Sequence, residues 1–177
     1  MAAQAPAACV DILRYSRSRV DMRTLSTRTQ YGIKAMLALG RRYGEGPVQI
    51  STLAKEETIP IKFLELILLD LKGHDLLVSK KGPHGGYQLS RPPSTITMGS
   101  LIRIMEGPLA PLPCASETAF RPCGECGDVE SCGTRIIMRQ VRDATADVLD
   151  RTTLADLLRR VDVARAGKGR EVPMYYI

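Results

Sequence analysis

Apolar side chains recur at helical spacing in the first part of the chain. Between residues 27 and 42, Tyr31, Ile33, Met36 and Leu37 form a stripe that follows Ser and Thr residues suited to helix capping. This pattern predicts an amphipathic helix. The sequence GEGP at 44–47 then predicts a break.

A short helix, a turn and a longer helix are predicted next. Ser51 is the predicted N-cap of the short helix, and TIP at 58–60 predicts the turn. From 61 to about 72, apolar residues recur every three or four positions, namely Phe63, Leu64, Ile67, Leu68 and Leu71. A short helix, a tight turn and a longer helix with a polar face form the helix-turn-helix pattern.

Two short stretches that predict a β-hairpin follow directly. The sequences LLVS at 76–79 and YQLS at 87–90 flank a Gly/Pro turn that begins with Lys80 and Lys81. Glycines let such a turn lie close to a sugar–phosphate backbone, and lysines supply cations for phosphates or the minor groove. A basic hairpin directly after a helix-turn-helix predicts a winged helix.

Candidate DNA contacts follow from this arrangement. N-terminal residues of a recognition helix reach base edges and phosphates. The longer helix is unusually apolar, so few of its side chains can read bases, and the wing and DNA shape are expected to contribute much of the specificity. The predicted contacts are Arg28, Thr58, Lys62, Glu65, Lys80, Lys81, Gly82, His84 and Gly85.

Charge is distributed unevenly over the 177 residues, whose net charge is +6. Eleven basic and six acidic residues give +5 over 22–92, whereas eight basic and ten acidic residues give −2 over 93–162. This asymmetry suggests a polyanion bound through one half, although ordinary surface variation would also produce it. No apolar run approaches the ~18 residues of a membrane span. Aromatic residues are only 5%, which argues against stacking platforms for single strands.

The second half contains a cysteine-rich loop. Thr97 is a predicted cap for a short helix over 98–106, and the loop at 108–133, here called the cysteine segment, has no hydrophobic period. A loop of this length without regular structure needs a covalent cross-link or a bound metal to hold it in place. The segment contains four candidate ligands, Cys114, Cys123, Cys126 and Cys132.

The spacing of these cysteines leaves three alternatives open. An iron–sulfur cluster accepts irregular thiolate spacing in a Gly-rich loop. Tetrahedral zinc usually comes with two close pairs, whereas only Cys123 and Cys126 form one here. The thiols could also be free or redox-switching. Structural disulfides would need an oxidising compartment, and no export signal is evident, which predicts a cytoplasmic protein.

A long helix is predicted after the cysteine segment, from 134 to about 149. Ile137, Val141, Ala144 and Val148 repeat at four, three and four residues, the spacing of helices that pair with other helices. This narrow seam favours a homodimer interface over packing within the chain. Thr153 is the predicted cap of a last short helix over 154–161.

These elements predict a mainly α fold in four parts. Residues 1–21 form an extension, predicted to be disordered, in which Cys9 is a free thiol. Residues 22–93 form the winged helix-turn-helix domain with its two-stranded wing. Residues 94–162 hold the dimerisation helices and the cysteine-rich loop, and residues 163–177 form a flexible tail.

The chain resembles the Rrf-type winged-helix regulators, the family of IscR-, NsrR- and RirA-like repressors. The resemblance rests on LSTRTQYGIKAMLAL at 25–39, IPIKFLE at 59–65, LK at 71–72, KGPHGGY at 81–87 and TTLADL at 152–157. It implies a homodimer paired by a long helix, with the second helix of the motif in the major groove of double-stranded DNA and the wing in the minor groove. It also implies a loop that in many members holds a 2Fe–2S or 4Fe–4S cluster.

Only some of the cluster ligands of the family have counterparts in this sequence. Cys126 and Cys132 match the spacing of the last two of three family cysteines, and the first corresponds to Cys114 or Cys123. The two usual fourth ligands are missing, since Arg135 and Gln30 stand there. The resemblance therefore implies that all four cysteines hold the iron of the cluster, with zinc as the alternative.

The function expected is a cytoplasmic DNA-binding repressor that senses cluster status, iron, or redox or nitrosative stress. A regulator with zinc or a disulfide switch is the first alternative. A small iron–sulfur carrier, which would dock partners through its basic half, is the second. An enzyme is not expected, because no Ser/His/Asp or Cys/His set and no phosphate-binding Gly motif occurs in the sequence.

Overall fold

The computed structural model describes residues 25–83, 85–124 and 126–167, and these form a mainly helical fold with one antiparallel two-stranded sheet. This confirms the predicted fold class. The predictions for 1–21, Cys9, His84 and 168–177 lie outside the described residues. In chain order the elements are α1 (Thr27–Arg41), α2 (Ile50–Glu56), α3 (Ile61–Gly73), β1 (Leu77–Lys80), β2 (Gly86–Leu89), α4 (Met98–Glu106), α5 (Gly133–Arg151) and α6 (Leu154–Ala166).

One hydrophobic core joins α1, α3, the hairpin, α4 and the start of α6. The predicted apolar stripe of α3 faces it, and Leu64, Ile67, Leu68 and Leu71 are fully buried there. Phe63 is half-buried and meets the ring of Tyr31 edge-on at 5.7 Å between centroids. The helix-turn-helix therefore rests on a scaffold that fixes the orientation of α3.

The N-cap predicted for α2 is wrong by two positions. The helix begins at Ile50, with Gln49 rather than Ser51 at the cap, and the Gln49 side chain makes no capping bond. Instead, Gln49 Nε2 donates to the carbonyl oxygen of Pro83 in the wing at 2.8 Å. A tertiary contact thus replaces the local cap that the sequence suggests.

The wing is attached to the residue that precedes α2. β1 pairs with β2 from Leu77 opposite Leu89 to Lys80 opposite Gly86. On the other edge of β2, Tyr87 and Val48, which lies two residues before α2, exchange two backbone hydrogen bonds of 2.8 Å. Gly86 has φ +155°, and a Cβ there would overlap the Val48 carbonyl oxygen. Only glycine fits at this close approach.

Both predicted caps in the second half are confirmed, and α6 is longer than predicted. Thr97 caps α4 through the N–H of Ser100, and Thr153 forms a capping box with Asp156. α6 ends at Ala166 and not near 161. Residues 163–166, assigned to a flexible tail by the sequence, are therefore helical.

α5 differs from the other helices because none of its 19 residues is buried. Near its end Leu149 packs against the core, and an antiparallel bridge between Thr97 and Thr153 fixes the chain just beyond. A helix usually owes its stability to the burial of one face, so α5 has an uncovered face within this chain. Among the described helices, none combines the length and apolar character required to span a membrane.

Candidate nucleic-acid interface and cysteine segment

The exposed face of α3 is only partly polar. Lys62 has 88% of its side chain exposed and pairs with Glu65 at 3.3 Å. Leu66 and Leu69 are 63% and 55% exposed. At 100° per residue these two leucines lie on the side of Lys62, opposite the buried stripe. The face available to a groove therefore combines one cation with two large apolar side chains.

Thr58 occupies a strained position in the turn before α3. Its φ is +54°, a conformation unusual for a β-branched residue, and its side chain is exposed. The N–H of Ile59 donates to the carbonyl oxygen of Ala54 at 2.9 Å and closes the turn. Strain of this kind costs on the order of 1–3 kcal/mol, so the surrounding structure holds Thr58 at the N-terminal end of α3.

The wing presents its basic turn to solvent. Lys80, Lys81 and Gly82 are exposed, and Gly85 is buried against the Lys80 carbonyl. Gly82 has φ +113° with open space around it. Gly85 and Gly86 therefore shape the turn from within, whereas Gly82 leaves room for a close approach from outside.

Arg28, also a predicted DNA contact, is bonded to two other helices, with 39% of its side chain exposed. Its guanidinium donates to Asp70 Oδ2 of α3 at 2.7 Å and to the Met105 carbonyl oxygen of α4 at 3.2 Å. It thereby joins α1, α3 and α4. A DNA contact by Arg28 stays a prediction, and this geometry does not favour it.

Two of the four candidate thiols lie next to each other. Cys126 Sγ and Cys132 Sγ are 3.7 Å apart. Hydrogen bonding to Cys132, and then to Cys123, raises the pKa of Cys126 to about 12. Within the part of the chain that the structure describes, no three Cys, His, Asp or Glu side chains converge on one point. Cys126 and Cys132 are therefore a close pair of thiols, and Cys114 lies buried in the turn Pro113–Ala115.

Cys132 stands at the N-cap of α5. The backbone N–H of Arg135, the thiol of Cys126 and the N–H of Thr134 lower the pKa of Cys132, the first of these most strongly. Helix N-termini favour thiolates because unsatisfied N–H groups point at the sulfur. The local fold thus lowers the pKa of one thiol at the junction of the cysteine segment and α5.

The spacing of Cys126 and Cys132 fits a shared metal ion. Thiolates bind tetrahedral metal at about 2.3 Å, so the edge between two sulfurs on one ion is about 3.8 Å by the geometry of a tetrahedron. The separation of 3.7 Å matches two ligands on one zinc ion or on one iron of a 2Fe–2S cluster. Ligation by all four cysteines stays a prediction.

Two arginines of α5 hold the cysteine segment. Arg135, 12% exposed, donates to the carbonyl oxygens of Cys114 at 3.0 Å and Val129 at 3.3 Å. Arg142, 13% exposed, donates to the Ala115 carbonyl oxygen at 2.7 Å. The sequence places both arginines on the helix face opposite the apolar seam but does not predict this role. Their spacing of seven residues on that face is the signal that could have indicated it.

A further ion pair connects α5 to the rest of the domain. Arg103 of α4 binds both carboxylate oxygens of Asp150, at 2.5 and 2.9 Å. A Cβ at Gly99 would overlap the Asp150 carboxylate, so glycine permits this approach. Contacts therefore run from the cysteine segment through α5 to α4, and from α4 through Arg28 to α3.

The apolar face of α5 points to solvent. Ile136, Ile137, Val141 and Val148 are all more than 40% exposed. No described part of the chain thus covers the predicted seam, whereas the cysteine segment occupies the arginine face. An apolar row of this length is typical of surfaces at which proteins associate.

Comparison with known proteins agrees with this arrangement. A family model described as "Rrf2: Iron-dependent Transcriptional regulator" matches residues 25–160. The HTH-type transcriptional regulator CymR of Bacillus subtilis is 33% identical over 153 residues, which is 86% of this chain and 99% of CymR.

Two solved structures are also similar. The structure of CymR, titled the global cysteine regulator of B. subtilis, has a TM-score of 0.64 at 31% identity, covering 78% of this chain and 98% of that one. The structure of T. potens IscR has a TM-score of 0.62 at 28% identity, covering 86% and 95%.

Proposed function

The chain belongs to the Rrf2 family of transcriptional regulators, and from that premise we propose that it is a homodimeric repressor whose cysteine segment controls its affinity for operator DNA. The observation that carries the proposal is the series of contacts that runs from that segment to α5, from α5 to α4, and through Arg28 to α3. The family membership makes the chain a regulator, as its named relatives are, and not an enzyme.

Double-stranded DNA is bound by α3 and the wing. The exposed Lys62 lies in the first turn of α3, where recognition helices contact bases and phosphates. Lys80 and Lys81 extend the cationic surface along the hairpin. Because Gln49 and Val48 tie the wing to α2, the two DNA-binding elements keep a fixed spacing.

The homodimer is formed by α5. Its exposed residues Ile137, Val141 and Val148 follow coiled-coil spacing. In a two-fold dimer the same patch on both subunits meets itself, and burial of this row would supply the stability that α5 lacks in one chain. Two helix-turn-helix motifs then face two half-sites of one operator.

Cys126 and Cys132, with Cys123 beside Cys126, would hold a metal centre, for which we favour an iron–sulfur cluster. When bound, the cluster would supply iron chemistry that responds to iron supply, oxidants or nitric oxide. The separation of 3.7 Å between Cys126 Sγ and Cys132 Sγ supports this assignment.

Regulation follows from the attachment of the cysteine segment to α5. The segment is bonded to Arg135 and Arg142 with its thiols free, and engagement of the thiols would hold it there more firmly. The ion pair of Arg103 with Asp150 couples a movement of α5 to α4. The bonds of Arg28 then connect α4 to α3. Loss of the metal from the thiols would loosen the contacts of Arg135 and Arg142 with the segment. It would thereby shift the equilibrium between dimer states that differ in DNA affinity.

The test is DNA binding by anaerobically purified full-length protein, before and after removal of metal. We expect bound iron, sulfide and visible absorbance, and a change in operator affinity when they are removed. The variants Cys126→Ala and Cys132→Ala should keep the fold and lose the change. Metal-free protein with unaltered DNA affinity would disprove the sensing role.

A zinc site or a dithiol switch is the second candidate, and a specific observation favours it. The 3.7 Å between Cys126 Sγ and Cys132 Sγ fits a zinc ion as well as it fits iron. Metal analysis separates the candidates, because zinc without sulfide would replace the cluster in the proposal. Absence of both metals, with two oxidisable thiols, would indicate the switch.

A further inference from the structure

Two leucines on the exposed face of α3, Leu66 and Leu69, form an apolar surface to which a ligand could bind. Leu66 and Leu69 flank the direction in which Lys62 points, at 63% and 55% exposure. The same helix buries Leu64, Ile67, Leu68 and Leu71 on the other side. α3 therefore has one apolar face that the core covers and a second, smaller one that none of the described residues covers.

Charge identifies double-stranded DNA as the occupant. Lys62 lies on the same face, one turn before Leu66, and Lys80 and Lys81 are exposed on the wing. Residues 22–92 carry a net charge of +5. A polyanion complements this surface, whereas an apolar protein partner would have to bury these lysines. The step from here rests on the proposed function.

Leucine can read only one feature of the major groove. It has no hydrogen-bonding group, and the apolar group that base pairs present there is the C5-methyl group of thymine. We propose that Leu66 is a specificity-determining residue that selects thymine through this methyl group. Leu66 lies in the second turn of α3, near the end that enters the groove. Leu69, one turn further on, is a second and weaker apolar contact.

The experiment removes the methyl group from DNA and the side chain from the protein. Duplexes that bind the full-length protein are selected from a random-sequence pool, and each thymine of the selected site is replaced in turn by uracil, which lacks only the methyl group. At one thymine of each half-site we expect affinity to fall about fourfold per half-site, the value of one buried methylene-sized group. Leu66→Ala should bind the thymine and uracil duplexes equally at that position.

A matched control separates a base contact from a general loss of apolar surface. Val163→Ala removes an exposed apolar side chain from α6, and it should leave the preference for thymine over uracil intact. Circular dichroism of both variants checks that the fold is kept.

The outcomes distinguish this inference from the proposed function. A selected site without a recurring thymine, or uracil tolerated at every position by the native protein, would overturn the role of Leu66 while DNA binding stands. If Leu66→Ala retains the full preference for thymine over uracil, the role of Leu66 is likewise overturned. If no duplex is selected at all, the proposed function itself fails, and this inference falls with it.

Discussion

The guanidinium of Arg135 donates to the carbonyl oxygen of Cys114 at 3.0 Å, so the first turn of α5 holds a backbone group 21 residues upstream. The same side chain reaches the Val129 carbonyl oxygen, close to the other end of the cysteine segment. One buried cation therefore joins both ends of a loop that has no hydrophobic core of its own.

Arg135→Gln should loosen the cysteine segment, because glutamine is too short to reach both carbonyl oxygens. A hydrogen bond from a charged donor contributes about 1.5–3 kcal/mol, so local opening should rise tenfold or more. Hydrogen exchange of the amides between 114 and 132 measures this. Arg139→Gln, an exposed arginine of the same helix, is the control. Equal exchange in both variants would contradict the role of Arg135.

Gly86→Ala should detach the wing from α2. The new Cβ would overlap the Val48 carbonyl oxygen, and φ +155° is strained for alanine. We expect a loss of roughly 1–3 kcal/mol in the free energy of unfolding together with weaker DNA binding. Gly82→Ala has a strained φ of +113° but open space, so its cost should be smaller. Urea denaturation compares the two variants, and a reversed order would refute this account.

Lys81→Ala should weaken DNA binding at every sequence and reduce the slope of log affinity against log salt by about 1, as expected for one lost phosphate contact. Gel shifts at several salt concentrations measure the slope. Arg160→Ala removes an exposed cation from α6 and should leave the slope unchanged. An unchanged slope for Lys81→Ala would count against the wing as a DNA contact.

Val141→Asp should dissociate the dimer, because it places a charge in the middle of the apolar row on α5. Sedimentation at micromolar concentration should find a monomer with much weaker DNA binding. Val163→Asp adds the same charge to a more exposed position on α6 and should remain dimeric. A dimeric Val141→Asp protein would place the interface elsewhere.

The capping box of α6 should make stability depend on pH. Hydrogen bonds from the Thr153 hydroxyl and backbone N–H lower the pKa of Asp156. A lowered folded pKa stabilises the protein above the unfolded value of about 3.9, and this stabilisation is lost as the pH falls through the folded value. Asp156→Asn should therefore be less stable than the native protein at pH 7, with a smaller difference at pH 3. Urea midpoints at both values test this, and a constant difference would exclude the capping box as its source.

The regular elements could be predicted from the sequence where local signals agree. The stripe of α3, the turn at Thr58 and the caps at Thr97 and Thr153 each depend on neighbours within a few residues. The start of α2 could not be predicted, because the amide of Gln49 bonds to Pro83, which is 34 residues away. The length of α6 was underestimated because the apolar period stops at Val161, although no helix breaker precedes Gly167.

The candidate site was predictable in composition but not in geometry. The spacing of cysteines identifies the thiols, yet it cannot specify that Cys126 and Cys132 lie together while Cys114 is buried in a separate turn. Irregular backbone needs hydrogen-bond donors for its carbonyl groups. Arg135 and Arg142 supply them across 21 and 27 residues, distances at which local patterns carry no information.

The antiparallel bridge between Thr97 and Thr153 has an evolutionary consequence. The N–H of Met98 bonds to the Thr152 carbonyl oxygen and the N–H of Leu154 to that of Ile96, both at 2.8 Å. The chain thus departs from the DNA-binding half and returns to it at one point. The loop between α4 and α5 can be lengthened, shortened or exchanged during descent without moving either junction. One scaffold can in this way acquire different sensory chemistries while its DNA-binding surface is inherited unchanged.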